Sequence, residues 1–209
     1  MENVQIRITT KHNDKMENMQ SLSTSSLTNP QCIKNAKVKG SICEKCFSNR
    51  LQKRCTNLKT KLDSNTYALT KIDLSENPAL IPMINASYFR FEAFGDLHNA
   101  LHAKNYFTIA SANPDTHFAL WTKNPAFIQM AIDKWGLEKP DNLQIVLSSM
   151  FINKPSDCKW FFVDKIFTVY SKECIESEGI DINCGSKKCF ECRLCYRKNT
   201  TFYINEKIK

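Results

Sequence analysis

Four cysteines fall within twelve residues near the end of the chain, in the order Cys184-Gly-Ser-Lys-Lys-Cys189-Phe-Glu-Cys192-Arg-Leu-Cys195. The loops between them hold four, two and two residues, short enough for the sulfurs to converge on one centre. Thiolates bind zinc and iron more strongly than other side chains do, and four thiols left free at this density would oxidise or capture stray metal. The stretch predicts a closed four-thiolate metal site, and the rest of the chain has to fold so as to carry it.

A length of 209 residues suits one domain with a real core. No run approaches the ~18 apolar residues of a membrane helix, and the first residues, MENVQIRITTKHND, lack the apolar stretch of a secretory signal. A cytoplasmic protein without a membrane role is the expectation. In that compartment ten cysteines point to metal rather than to a disulfide framework. The net charge of +8 counts thiols as neutral, whereas metal-bound cysteines are thiolates, so the basic balance is only a weak pointer to nucleic acid.

A second cysteine group lies near the start. Cys32 is followed by a long polar loop and then by Cys43-Glu-Lys-Cys46-Phe47. Cys43 and Cys46 make a C-x-x-C pair, and with Cys32 they supply three ligands, one short of a closed tetrahedron. Cys55 is the obvious fourth ligand. Leu51, Cys55, Leu58 and Leu62, however, share one face of a predicted helix over 48–62, and a cysteine on such a stripe is more often core. Cys158 and Cys174 stand alone and read the same way.

Val4, Ile6 and Ile8 alternate with polar residues and predict a short strand; the Ser/Thr-rich stretch 21–28 is a second strand or a loop. From Tyr88 onward the pattern settles. Tyr88–Phe94 reads as a strand, and Asp96 as the cap of a helix from Leu97 to about Ala103. His117–Thr122 is a strand. Asn124-Pro125 opens a helix that buries Phe127, Ile128, Ala131, Ile132 and Trp135 and stops at Gly136. Asn142–Ser148 and Lys165–Ser171 are further strands. Strand–helix alternation of this kind predicts a parallel sheet with its site at the C-terminal strand ends.

The pleat would put Arg90 and Glu92 on one face of their strand and Phe89 and Phe91 on the other. His98 and His102 lie one helical turn apart, which reads first as a polar helix face and only second as a metal pair. His117 reads as structural. With five glycines in the chain, no phosphate-binding glycine loop is available.

The order of Cys32, Cys43, Cys46 and Phe47, then Arg90-Phe-Glu-Ala-Phe-Gly-Asp96, then Phe118-Ala-Leu-Trp-Thr-Lys-Asn-Pro125, then the final cysteine cluster, resembles the phage "gene product 88" family of uncharacterised proteins. The middle of the chain is also similar to the radical S-adenosylmethionine enzymes. That resemblance implies a partial (β/α) barrel of about five or six mostly parallel strands over residues 1–180, with a cysteine-rich metal-binding segment over 181–209. It implies 4Fe–4S clusters, one on Cys32, Cys43 and Cys46 with an open iron, and an auxiliary closed one on Cys184, Cys189, Cys192 and Cys195. Glu92, Gly95 and Asp96 would then meet S-adenosylmethionine. The spacing from Cys32 to Cys43 is wider than that family's usual C-x-x-x-C, and a single glycine stands in Glu92–Asp96.

The expected function is an iron–sulfur protein with a redox or degenerate radical role, supplied by an electron donor, in the cytoplasm of a host bacterium if the chain is phage-encoded. The alternative is a zinc-binding interaction module directed at nucleic acid or a host protein, without catalysis.

Overall fold

The computed structural model describes residues 4–208. Six strands form one all-parallel sheet whose spatial order follows the chain: β1 (Gln20–Leu22), β2 (Tyr88–Phe91), β3 (His117–Thr122), β4 (Leu143–Ser148), β5 (Lys165–Tyr170) and β6 (Tyr203–Lys207). The sheet stays open, with β1 and β6 as its edges. The helices are α1 (Pro30–Asn35), α2 (Phe47–Arg54), α3 (Thr56–Lys71), α4 (Ala100–Ala112), α5 (Pro125–Trp135), α6 (Lys172–Glu178) and the single turn α7 (Cys189–Cys192).

Alternation along the strands divides the core in two. Phe89 and Phe91 of β2, Phe118 and Leu120 of β3, and Leu143, Ile145 and Leu147 of β4 face α3, α4 and α5 and form the larger cluster. Phe91 stacks on Tyr106 of α4, with ring centroids 4.1 Å apart, and on Phe118 at 4.9 Å. Such pairs add about 0.5–1.5 kcal/mol each beyond their burial. The intervening residues Ala119, Val146, Phe167 and Ile204 face the other way. No long helix covers them. Their cover is Met16, Met19 and the C-terminal segment carrying Cys184, Cys189, Cys195 and Tyr196. The segment 181–208 thus closes the second face of the sheet, and it also supplies β6, which pairs with β5 from Ile166 to Tyr170.

Helix α5 starts at Asn124-Pro125 and ends at Gly136, whose φ of +60° makes the left-handed cap. Several expectations need correction. Residues 4–8 form no strand; the chain there makes one antiparallel bridge, Thr9 to Ser21, while Ile6 and Ile8 pack on the core. The predicted helix over 48–62 is two helices that meet at Cys55, because α2 buries Ser48 and Gln52 whereas α3 buries Leu62, Asn65, Ala68 and Leu69. Those faces are not continuous on one axis. Cys55 therefore stands exposed at the junction rather than in the core, and Leu51 is 41% exposed. Cys174 is buried and Cys158 half-buried against the main cluster, as expected. Helix α4 begins at Ala100, capped by the Asn99 side chain, and Asp96 has another use. Among the described residues no helix is long and apolar enough to cross a membrane.

Candidate functional site

The loop after β1 is polar yet wholly buried: Ser23, Thr24, Ser25 and Ser26 are each at most 2% exposed. Buried hydroxyls need partners, and α2 provides them. Ser25 donates to Gln52 Oε1 at 3.0 Å, and the Gln52 amide donates to Ser26 and Ser48 at 2.7 and 2.8 Å. Asn29 then fixes the first cysteine. Its Oδ1 caps α1 through the N–H groups of Gln31 and Cys32, while its amide donates to the carbonyls of Asp96 and Leu97. Cys32 is thereby tied to the loop after β2. Ser41 bridges to Phe151 and Ile42 N–H donates to the Met150 carbonyl, which anchors the Cys43–Cys46 turn beside the end of β4.

The result is one cavity of about 290 Å³ at the C-terminal ends of β1 to β4. Cys32, Cys43 and Cys46 line it together with Glu92, Gly95 and Asp96. Arg90, Trp121, Lys123 and Phe47 complete its wall. Burial pushes the Cys32 thiol well up, helped by the Asp96 and Glu92 carboxylates and by Cys43 and Cys46. Burial also raises Cys43, with Lys123 opposing. Neutral thiols are what such a site holds until a cation ionises them.

The two carboxylates are committed to the loop. Glu92 has a φ of +58°, which ends the strand and turns its side chain toward α4 instead of leaving it beside Arg90 as the pleat predicts. There it accepts from Tyr106 at 2.5 Å and from the Thr24 hydroxyl at 2.9 Å, and His102 Nε2 lies 3.4 Å away. Burial raises Glu92 to about 8. Asp96 accepts from the Thr122 hydroxyl at 2.6 Å and from the N–H groups of Lys123 and Leu97 at 2.9 and 2.7 Å. It joins the ends of β2 and β3. Gly95 sits at φ +78° with the Thr24 carbonyl where a Cβ would go, 2.4 Å away, so only glycine fits. His98 and His102 are not a polar helix face. His102 is fully buried in α4, and its Nδ1 accepts from His98 N–H at 3.3 Å.

The four C-terminal cysteines gather on the opposite face of the sheet. Cys184 is strapped to β6 through a bridge to Glu206, and Cys189 and Cys192 sit on α7. Arg193 turns the chain at φ +59° so that Cys195 comes back toward the sheet. Burial raises Cys195 to about 12, reinforced by Cys184, Cys189 and Cys192. Three cations surround the group. Lys15 donates to Cys184 Sγ at 3.0 Å and to Glu206 at 2.8 Å; burial opposes its charge, but these bonds raise it overall. Arg90 acts on Cys189 and Cys195. Lys165, 2% exposed, acts on Cys195 and donates to Thr200 at 2.6 Å.

Among the described residues no three His, Cys, Asp or Glu side chains converge tightly enough to hold a single metal ion. Tetrahedral zinc with Zn–S near 2.3 Å needs sulfurs about 3.8 Å apart. The donor chemistry nonetheless fits an anionic thiolate centre at 184–195. Arg90 forms no ion pair with a carboxylate, and its buried Nε has no hydrogen-bond partner among the described residues. Arg90 is half-buried with its Nε shut off from solvent, and a four-thiolate metal centre with net negative charge would give that guanidinium a counter-charge.

Compared with family models, with curated proteins and with solved structures, the chain gives no match.

Proposed function

We propose that this chain is an iron–sulfur protein on a partial, radical-SAM-like barrel, with two centres on opposite sides of Arg90 and Trp121. Cys184, Cys189, Cys192 and Cys195 would hold the closed centre. Cys32, Cys43 and Cys46 would hold the open one, and S-adenosylmethionine would occupy the cavity beside it. When bound, clusters of this kind supply single electrons, and an open iron supplies a coordination position for a ligand.

The single observation that carries the reading is the cavity itself. Three cysteines from the loop after β1 and the Glu92–Asp96 loop after β2 line one space at the C-terminal rim of a parallel sheet, where α/β folds do their chemistry. The chain's own residues shape that space. Asp96 and Glu92 hold the loop by accepting N–H and O–H donors, Asn29 holds Cys32 against it, and Lys123, donating to Ser148 at 3.1 Å, brings a cation to the wall.

Purification without oxygen tests this. The expected product is brown, with iron and sulfide in equal amounts near a total of about eight each per chain. Cys43→Ala should remove about half of the iron and abolish S-adenosylmethionine binding, while Cys192→Ala removes the other half. A colourless protein with stoichiometric zinc would overturn the iron reading.

A further inference from the structure

The segment that carries the first cysteine group has an unusual surface. Between residues 30 and 58 there are seven Lys and Arg and a single acid, Glu44. All seven cations are exposed, Lys45, Arg50, Lys53 and Arg54 among them. Elsewhere several exposed or half-exposed lysines find carboxylates, Lys59 with Asp63, Lys139 with Asp164 and Lys198 with Asp141, while others such as Lys71 and Lys134 stand among acids without pairing. None of the seven makes such a pair among the described residues, although the chain has 21 acids. A merely solvated helix face intersperses both signs. This one sets seven cations against Glu44 alone.

The same segment exposes apolar side chains. Phe47 is 56% exposed, Ile33 44% and Leu51 41%. Phe47 stands at the mouth of the 290 Å³ cavity and leans on Phe94, also in its wall, at 5.5 Å between ring centroids. An exposed aromatic ring within a field of unpaired cations is the combination that binds single-stranded nucleic acid, the cations tracking phosphates and the ring stacking on an unpaired base. A duplex hides its base faces, and an acidic protein has no base to stack. The cavity behind Phe47 is of small-ligand size and offers Ser26, Asn35, Asn49 and Lys123 as donors and acceptors.

We infer that the surface formed by α1, the cysteine loop and α2 binds single-stranded nucleic acid and presents one base to the cavity. This assignment needs no metal and concerns the Phe47 mouth of the cavity, so metal-free protein tests it apart from the iron–sulfur reading, which places its own ligand deeper in the same space.

The experiment is fluorescence anisotropy with a labelled single-stranded oligonucleotide, in both RNA and DNA versions, titrated with the purified full chain at several salt concentrations. Unlabelled duplex and polyglutamate serve as competitors. Contact with about three or four phosphates gives a slope of log affinity on log salt near −2 to −3, from about 0.7 per phosphate on a single strand. The triple reversal Arg50→Glu, Lys53→Glu, Arg54→Glu should flatten that slope by about two and weaken binding at least tenfold. Lys71→Glu, Lys134→Glu, Arg197→Glu, which removes the same charge elsewhere, should change binding less than threefold. Phe47→Ala should weaken the oligonucleotide about tenfold and leave polyglutamate binding unchanged. All these positions are exposed or partly so, and circular dichroism melts confirm folding. Equal losses from the two triple reversals would reduce the effect to net charge and overturn the assignment. So would polyglutamate binding as tight as the oligonucleotide's, which marks an acidic protein partner, or absence of binding at 100 mM salt.

Discussion

Arg90 lays its guanidinium over the indole of Trp121, 4.1 Å from the ring centroid, and among the described residues no carboxylate pairs with it. Both side chains line the cavity of the first three cysteines, and the same guanidinium opposes the upward shift of Cys189 and Cys195 on the far side. One cation therefore serves two cysteine groups. The cation–π contact contributes about 0.5–2 kcal/mol to holding this half-buried guanidinium in place.

Replacing that cation tests whether it is a counter-charge. Arg90→Met keeps the length of the side chain and removes the charge. It should lower the metal affinity of the centre proposed at 184–195 by about 10–100-fold, as loss of an outer partner does. The metal-free variant should be about as stable as the parent, since Arg90 is only half-buried and its Nε has no hydrogen-bond partner to lose among the described residues. Chelator competition gives the first quantity and urea unfolding of the metal-free protein the second. Unchanged metal affinity would leave Arg90 without the role assigned to it.

Gly95 and Gly136 both have positive φ, at +78° and +60°, yet they differ in what surrounds them. Around Gly136 there is nothing within 4 Å of an added Cβ, so Gly136→Ala should cost only the left-handed penalty, about 1 kcal/mol. At Gly95 the Cβ would meet the Thr24 carbonyl at 2.4 Å and Glu92 Oε2 at 2.9 Å. Backbone cannot give way there without moving the loop that holds Cys32. Gly95→Ala should cost at least about 3 kcal/mol and distort the cavity. Equal urea midpoints for the two variants would contradict this geometry.

The middle of the sheet was legible because its signals were local. Strands β3 and β4 are short, nearly continuous apolar runs buried on both faces, and Asn124-Pro125 and Gly136 bracket α5 by cap chemistry alone. The edges were not. Strand β1 has three residues, and β6 is an Asn-Glu-Lys edge whose place depends on β5 pairing with it. The break at Cys55 was hidden because Ser48 and Gln52 are polar and buried only through their bonds to the loop after β1. Asp96 looks like a cap, and only tertiary structure reveals that its oxygens reach across to Thr122 and Lys123. The three-cysteine group and the Glu92–Asp96 loop could be named from sequence; the left-handed turn that swings Glu92 toward Tyr106 could not.

Cysteine reactivity separates the exposed thiol at the helix junction from the rest. Cys55 is exposed, whereas Cys174 is buried and its thiol raised by burial. Thiolate character and access set alkylation rate. In metal-loaded protein, iodoacetamide should label Cys55 first and Cys174 slowly, with the seven clustered cysteines protected, as read by peptide mass spectrometry. Protection of Cys55 would mean that it is a ligand after all. Cys55→Ala should leave metal content unchanged.

The buried group behind the cavity sets a pH optimum for the metal-free fold. His102 lies well below its ordinary 6.5 because of burial, with His98 adding to the effect, and burial lowers His98 to about 4. Below pH 6.5 the unfolded chain takes up protons that these folded imidazoles refuse, so acidification destabilises. Glu92 runs the other way. Its folded value near 8 exceeds the ordinary 4.5, so the folded state keeps a proton that the unfolded chain releases, and stability falls as pH rises between those values. Below 6.5 the imidazoles, with His12 also lowered by burial, outweigh Glu92; above it the carboxyls govern, Asp96 being raised by burial in the same direction as Glu92. Stability should peak near pH 6.5 and fall by about 2 kcal/mol toward pH 8. Glu92→Gln keeps the shape and removes its titration, so its profile should fall less steeply than the parent's from pH 6.5 to 8. Urea midpoints across pH 5 to 8, with reductant present, decide it. If the variant declines as steeply as the parent on the alkaline side, Glu92 is ionised in the fold and its bonds to Tyr106 and Thr24 outweigh its burial.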